Sequence, residues 1–90
     1  MGAFNELIVS GSDGAELRIQ FKFGLNFQYL YRLGDTVEGA SEYPGMHEVT
    51  GIAGSAEDGW KFFAIKLIDG RLVSCREVQE DEFDRLERKT

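Results

Sequence analysis

The sequence predicts a small, mainly β (α+β) domain: an antiparallel sheet or barrel of about six strands with a short C-terminal helix. Three observations carry that prediction. Leu17, Ile19, Phe21 and Phe23 alternate with Arg18, Gln20 and Lys22, giving one apolar and one wet face. Asp69-Gly70 separates two β-prone runs, and a type I′ hairpin turn needs left-handed backbone at both central positions. Residues 79–89 contain no glycine and no β-branched residue, and their charges run from acidic to basic.

Residues 4–9, with Leu7, Ile8 and Val9, read as the first strand. Ser10-Gly11-Ser12-Asp13-Gly14 is a turn of small polar residues. The alternating run at 17–23 is the second strand. Gly24-Leu25-Asn26 breaks the pattern, and Phe27, Tyr29 and Tyr31 mark a third strand. Gly34-Asp35 turns the chain, and Thr36-Val37 starts a short edge piece. Residues 38–48, with Gly39, Pro44 and Gly45, form the longest loop. Residues 49–53 are a short strand, and 54–59 a second small-residue turn.

Residues 60–68 are apolar on both faces, which places that strand centrally or beneath another element. Residues 71–78 complete the hairpin. In the last segment Glu80, Asp81 and Glu82 precede Arg85, Arg88 and Lys89, the order that complements a helix dipole. Phe83 and Leu86 share one face and dock it. The organisation is a single domain, with β structure over 1–78 and the helix of 79–89 packed on it.

The 90 residues hold one Cys, one His and one Pro, which excludes a disulfide scaffold and a Cys/His metal cluster. Seven Phe, three Tyr and one Trp within 42% hydrophobic content argue against disorder. No apolar run approaches the ~20 residues of a membrane span. The first residues lack a basic region and an apolar stretch, so no signal peptide is expected. Met1-Gly2 is followed by Glu6 where a myristoylation motif carries Ser or Thr. A single Cys75 fits a reducing, cytoplasmic setting.

The net charge of -6 repels phosphate backbones and disfavours nucleic acid. It suits a basic protein partner, and it also serves solubility. Residues 77–90 carry half of the excess, in a helix whose charge order already has a structural cause. The other prominent acidic stretch is 35–48, with Asp35, Glu38, Glu42 and Glu48 and no Lys or Arg. Tyr43, Met46 and His47 sit among these carboxylates. An aromatic and a Met within an acidic loop form a candidate protein-binding site.

Catalytic constellations are weak. Cys75 and His47 are the single thiol–imidazole combination; Cys75 reads as a buried strand residue facing the same side as Val73, and His47 as a solvated loop residue. No serine stands in a nucleophile elbow, and no phosphate-cradling glycine loop is present. The Glu80-Asp81-Glu82 run reads as a solvated helix start. Phe21, Phe23, Phe27, Tyr29, Tyr31, Trp60, Phe62 and Phe63, with Lys22, Arg32 and Lys61 between them, offer either a stacking platform for single-stranded nucleic acid or the filling of a small core. The core is the better use.

The two turns Ser10-Gly11-Ser12-Asp13-Gly14 and Ser55-Ala56-Glu57-Asp58-Gly59 share the pattern S-x-x-D-G. With Ile19-Gln20-Phe21-Lys22-Phe23-Gly24, Gln28-Tyr29-Leu30-Tyr31-Arg32-Leu33-Gly34-Asp35 and Gly51-Ile52-Ala53, the chain resembles a group of small uncharacterised bacterial zinc-ribbon-like β proteins over residues 7–75. In that group two C-x-x-C-G knuckles form the site, at the places of the two turns here. The resemblance implies a ribbon-like fold and nothing about activity. All four ligand positions are exchanged, to Ser10, Asp13, Ser55 and Asp58, so no zinc and no other cofactor is expected. A weak calcium site from Asp13, Glu57 and Asp58 is the remote alternative, because that cation needs six or more oxygens. Ser and Asp bonds to turn amides would replace the metal.

Three functions follow as expectations. The first is a cytoplasmic, non-catalytic protein-interaction module, one version being an immunity-like inhibitor of a basic toxin. The second is a degenerate ribbon that binds single-stranded nucleic acid through its aromatic strands. The third is an enzyme with no recognisable site.

Overall fold

A computed structural model describes residues 3–11 and 14–88. Asp13, one of the exchanged ligand positions, lies outside the described residues, as does Lys89 at the end of the expected helix. The strands are β1 (Asn5–Ser10), β2 (Glu16–Phe21), β3 (Leu30–Arg32), β4 (Met46–Ser55), β5 (Gly59–Ile68) and β6 (Arg71–Val78), followed by helix α1 (Glu80–Arg88). They form one curled six-stranded sheet, a half-barrel, in the order β3-β1-β2-β4-β5-β6. The mainly β class with a short C-terminal helix is therefore present.

The sheet is mostly antiparallel, as expected, with one parallel pairing, because β3 runs parallel to β1. The cause is a short crossover. After β2 the chain passes the start of β1 and returns on its far side. Gln28 adopts φ 61°, and the Gln28 N–H donates to the Phe4 carbonyl at 2.9 Å. Phe27 and Gln28 thus belong to the crossover, and the third strand begins only at Leu30.

Asn5 organises this crossover from within. It is fully buried, and its Nδ2 donates to the carbonyls of Phe23 (3.2 Å) and Leu25 (3.1 Å) and to Asn26 Oδ1 (3.1 Å). Its Oδ1 accepts from the Tyr29 N–H at 3.3 Å. Irregular backbone under a sheet needs such partners, since buried polar groups are costly when unpaired.

Three hairpins, β1–β2, β4–β5 and β5–β6, supply most of the sheet. At Asp69-Gly70 both residues have positive φ, 51° and 79°, as the type I′ expectation required. In the β4–β5 turn the Asp58 N–H donates to Ser55 Oγ at 3.0 Å, and Ser55 Oγ donates to Asp58 Oδ2 at 3.3 Å. This is the expected side-chain support of an S-x-x-D-G turn. Among the described residues the β1–β2 and β4–β5 hairpins pair at Gln20↔Ile52 and Phe21↔Gly51. Strand directions put the β1–β2 and β4–β5 turns at the same end of the sheet.

At the opposite end the half-barrel is drawn together. Gly34 N–H donates to the Leu72 carbonyl (2.7 Å), Leu72 N–H to the Asp35 carbonyl (2.8 Å), and Val37 N–H to the Gly70 carbonyl (2.9 Å). Thr36 bridges Arg71, so the expected edge piece at Thr36-Val37 exists as a clasp on β6.

The main core fills the inner face with Leu7, Ile19, Phe21, Phe63, Ile65 and Leu67 among others. A smaller cluster of Ala64, Val78 and Leu86, flanked by Phe62 and Phe83, lies under α1. This explains the doubly apolar β5: Phe63, Ile65 and Leu67 face the core, while Phe62 and Ala64 face the helix. The Phe62 and Phe83 rings stand 4.6 Å apart. Alternation in β6 is broken by a bulge opposite Lys66/Leu67. Val73 is the extra residue and is exposed, out of phase with Cys75, so the expectation that Val73 and Cys75 share a buried face is corrected.

Candidate functional site

The expected loop at 38–48 is only partly a loop. Ala40–Glu42 form a 3₁₀ turn, and β4 starts at Met46 rather than at residue 49. Met46, His47 and Glu48 carry little intrinsic strand preference, and pairing with Ile68, Leu67 and Lys66 of β5 extends the strand over them.

This extension divides the seven expected site residues. Met46 and Glu48 project from the outer face, where Glu48 lies 3.6 Å from Arg76. His47 and Tyr43 pack on the other side with Phe23, at ring separations of 5.3 Å and 4.8 Å from it. His47 is half-buried rather than solvated, and its Nε2 lies 3.2 Å from the Pro44 carbonyl. Asp35 turns the chain, its Oδ2 accepting from the Arg32 N–H at 2.8 Å. Glu38 and Glu42 are exposed.

What the structure does assemble is an end, made of the crossover and the clasp. In the crossover Leu25, Phe27 and Tyr29 are exposed, Phe27 to 68%; Leu30 on β3 and Leu33 after it are exposed further along the edge. Phe27 meets Tyr29 edge-on at 6.2 Å, and Tyr29 lies 6.0 Å from Tyr31. The Leu25 N–H donates to the Glu38 carbonyl at 3.0 Å, and the Glu38 N–H donates to the Tyr31 hydroxyl oxygen at 2.9 Å. Gly24 lies so close to the Glu38 carbonyl that a side chain there would collide with it. The apolar crossover and the acidic clasp are one bonded unit. Burial raises the Tyr31 phenol above its ordinary pKa against the opposing bond from Glu38; Glu38, Tyr29 and Asp35 add to the rise.

The charge is equally local. Residues 33–60 contain Asp35, Glu38, Glu42, Glu48, Glu57 and Asp58 and no Lys or Arg. That segment alone sums to -6; residues 77–90 add -3, and residues 61–76 offset it with +3. Glu48 of this segment is matched by Arg76, as is Glu82; elsewhere Glu16 is matched to Arg32 at 3.0 Å and Glu6 to Arg18 at 3.8 Å. These exposed pairs add little stability. They do cancel charge. Among the described residues Glu38 and Glu42 make no ion pair. A census of charge along the sequence locates this segment; only the structure shows the apolar crossover beside it.

Two grooves remain, each of about 420 Å³. One runs between α1 and the β2–β4 junction, with Lys22, Thr50, Ile52, Phe83 and Glu87 on its walls. The Thr50 hydroxyl donates to Glu87 Oε2 there at 2.6 Å. The other lies along Ile8, Val9, Arg32, Leu33, Phe63 and Cys75. Cys75 and His47 stand on opposite sides of β5, beside Ile65 and Leu67 respectively. The expected thiol–imidazole combination is thus not a pair.

Burial pushes the Cys75 thiol up to about 11 from 9.0. The neutral thiol's contribution to stability is complete below about pH 9 and is lost as pH rises toward about 11. At pH 8, alkylation by iodoacetamide is expected to run roughly a hundredfold slower than for a free thiol, following the thiolate fraction. A rate equal to that of free cysteine would overturn the placement of Cys75.

The expected aromatic platform is divided as well. Phe21, Phe23, Tyr31 and Phe63 are buried, and Phe27, Tyr29 and Trp60 are exposed on different elements. No group of three or more His, Cys, Asp or Glu able to hold a metal ion occurs among the described residues. No helix of the described residues is long and apolar enough to cross a membrane. No protein-family model, curated protein or solved structure matches the chain.

Proposed function

We propose that the chain is a small cytoplasmic, non-catalytic protein-interaction module of bacterial type. The observation that carries this reading is the exposed apolar crossover of Leu25, Phe27 and Tyr29, hydrogen-bonded to the acidic clasp. Exposed apolar side chains grouped together and rimmed by polar ones are the usual mark of a protein contact. An immunity-like inhibitor of a basic toxin is one form such a module takes. Ribbon-like kinship is part of the same proposal, supported by the placement of the two S-x-x-D-G turns at one end of the sheet.

The nucleic-acid alternative has less support, because half of its aromatics are consumed by the core and Phe27 and Tyr29 stand in the same unit as unpaired carboxylates. The enzyme alternative draws no support from Cys75, which is half-buried, protonated and without an imidazole beside it.

Affinity capture from native lysate at low and moderate salt tests the module. A protein partner recovered in stoichiometric amount is expected. Recovery of none at either salt, or of nucleic acid in its place, would overturn it.

A further inference from the structure

We infer that the crossover end docks a basic protein segment bearing apolar side chains, with Leu25, Phe27 and Tyr29 making the apolar contacts and Asp35, Glu38 and Glu42 the charge contacts. This inference rests on the module reading and adds the surface and the chemistry of the partner.

The first ground is charge complementarity. Residues 33–60 carry -6, while residues 77–90 carry -3 and residues 61–76 carry +3; Glu38 is bonded to Leu25 of the crossover, and Asp35 and Glu42 stand on either side of Glu38 along the clasp. Near this end Arg32 is ion-paired with Glu16, while Arg71, whose Nε donates to the Gly34 carbonyl at 3.3 Å, keeps its full charge beside the clasp. The carboxylate rim attracts a basic partner and repels acidic ones.

The second ground is preorganisation. The segment from Leu25 to Glu38 is tied at its ends by the Leu25–Glu38 bond and within by the bonds of Gln28 to Phe4, Tyr29 to Asn5 and Glu38 to Tyr31. Little ordering cost remains to be met on binding, and rigid aromatics at such a surface are efficient anchors.

The third ground excludes other occupants. A second copy of the chain would set the same carboxylates against one another, and a phosphate backbone would meet that repulsion from every phosphate. A basic segment without apolar side chains would leave Phe27 in water.

The test uses the full chain, isotope-labelled for amide NMR, titrated with a short synthetic peptide of alternating lysine and leucine. A lysine–serine peptide of equal charge is the control. Saturable shifts are expected at residues 25–29 and 35–43, with binding about tenfold weaker for the lysine–serine peptide and for Phe27→Ser. Glu38→Gln with Glu42→Gln should flatten the salt dependence.

Shifts centred on Glu80–Glu82 of α1, equal binding by Phe27→Ser, or no saturable binding at low salt would overturn the inference. Shifts that depend on protein concentration alone would assign the end to a second copy. Capture of a lysate partner by Phe27→Ser as well as by the wild type would overturn this surface while leaving the module reading standing.

Discussion

Asn5→Ala should lower the unfolding free energy by about 3 kcal/mol, read as a drop in urea midpoint. The side chain is fully buried and ties four groups, the carbonyls of Phe23 and Leu25, Asn26 Oδ1 and the Tyr29 N–H. Each bond contributes roughly 1 kcal/mol net, and a buried partner left unsatisfied costs about 1–3 kcal/mol. Partial rehydration of the crossover keeps the total below the simple sum. For a domain of this length about 3 kcal/mol corresponds to roughly 12–24 °C in Tm. Asn5→Leu should be no better, because filling the space leaves the same polar groups without partners. A loss below about 1 kcal/mol would mean that Asn5 does not organise the crossover.

Gly51→Val should be at least as damaging, by roughly 3 kcal/mol or more. Gly51 pairs with Phe21 at the junction of the β1–β2 and β4–β5 hairpins, which is two residue pairs long among the described residues. A Cβ at this position would lie 2.6 Å from Ile19 Cγ2, 3.1 Å from Ile65 Cδ1 and 3.2 Å from the Gln20 carbonyl. Ile19 and Ile65 are fully buried, and a β-branched methyl has little room to turn. The added group must push the hairpins apart. Gly51→Ala should show a smaller loss of about 1–2 kcal/mol, since alanine also stiffens the unfolded chain and recovers part of the strain. A Gly51→Ala chain as stable as the wild type would mean that the junction accommodates a side chain.

Both positions show what the sequence leaves hidden. Alternation at 17–23, the Asp-Gly turn and the charge order of the last helix are local signals, and each appears in the structure where local physics puts it. Asn5 sits in the first strand as one unremarkable polar residue. Its role depends on residues eighteen to twenty-four positions away, and no periodicity marks that. The parallel placement of β3 has the same origin, because it follows from the crossover and from Gln28 in the left-handed region. Met46, His47 and Glu48 became strand through pairing with β5, against their own preferences. The bulge opposite Lys66/Leu67 put Val73 out of phase with Cys75 in a stretch whose sequence carries no break.

The candidate site was legible in part for a related reason. Charge is additive along a chain, so the acidic stretch at 35–48 was visible. Exposure is not: Phe27 reads like Phe21 in sequence, yet one is 68% exposed and the other 2%. The difference is the crossover, which turns Phe21 into core and leaves Phe27 outside. Glu48 shows the converse, an acid counted with the site whose charge is met by Arg76 on the outer face.

The surface role of the crossover is most directly tested by lysate capture with Leu25→Ser/Phe27→Ser beside the wild-type chain, with urea midpoints taken on the same preparations. Phe27 is 68% and Leu25 48% exposed, so a nearly unchanged midpoint, equivalent to within about 1 kcal/mol, is expected. Lost capture at that unchanged stability is the predicted result. Full capture by the folded variant would contradict a binding role for this end of the molecule.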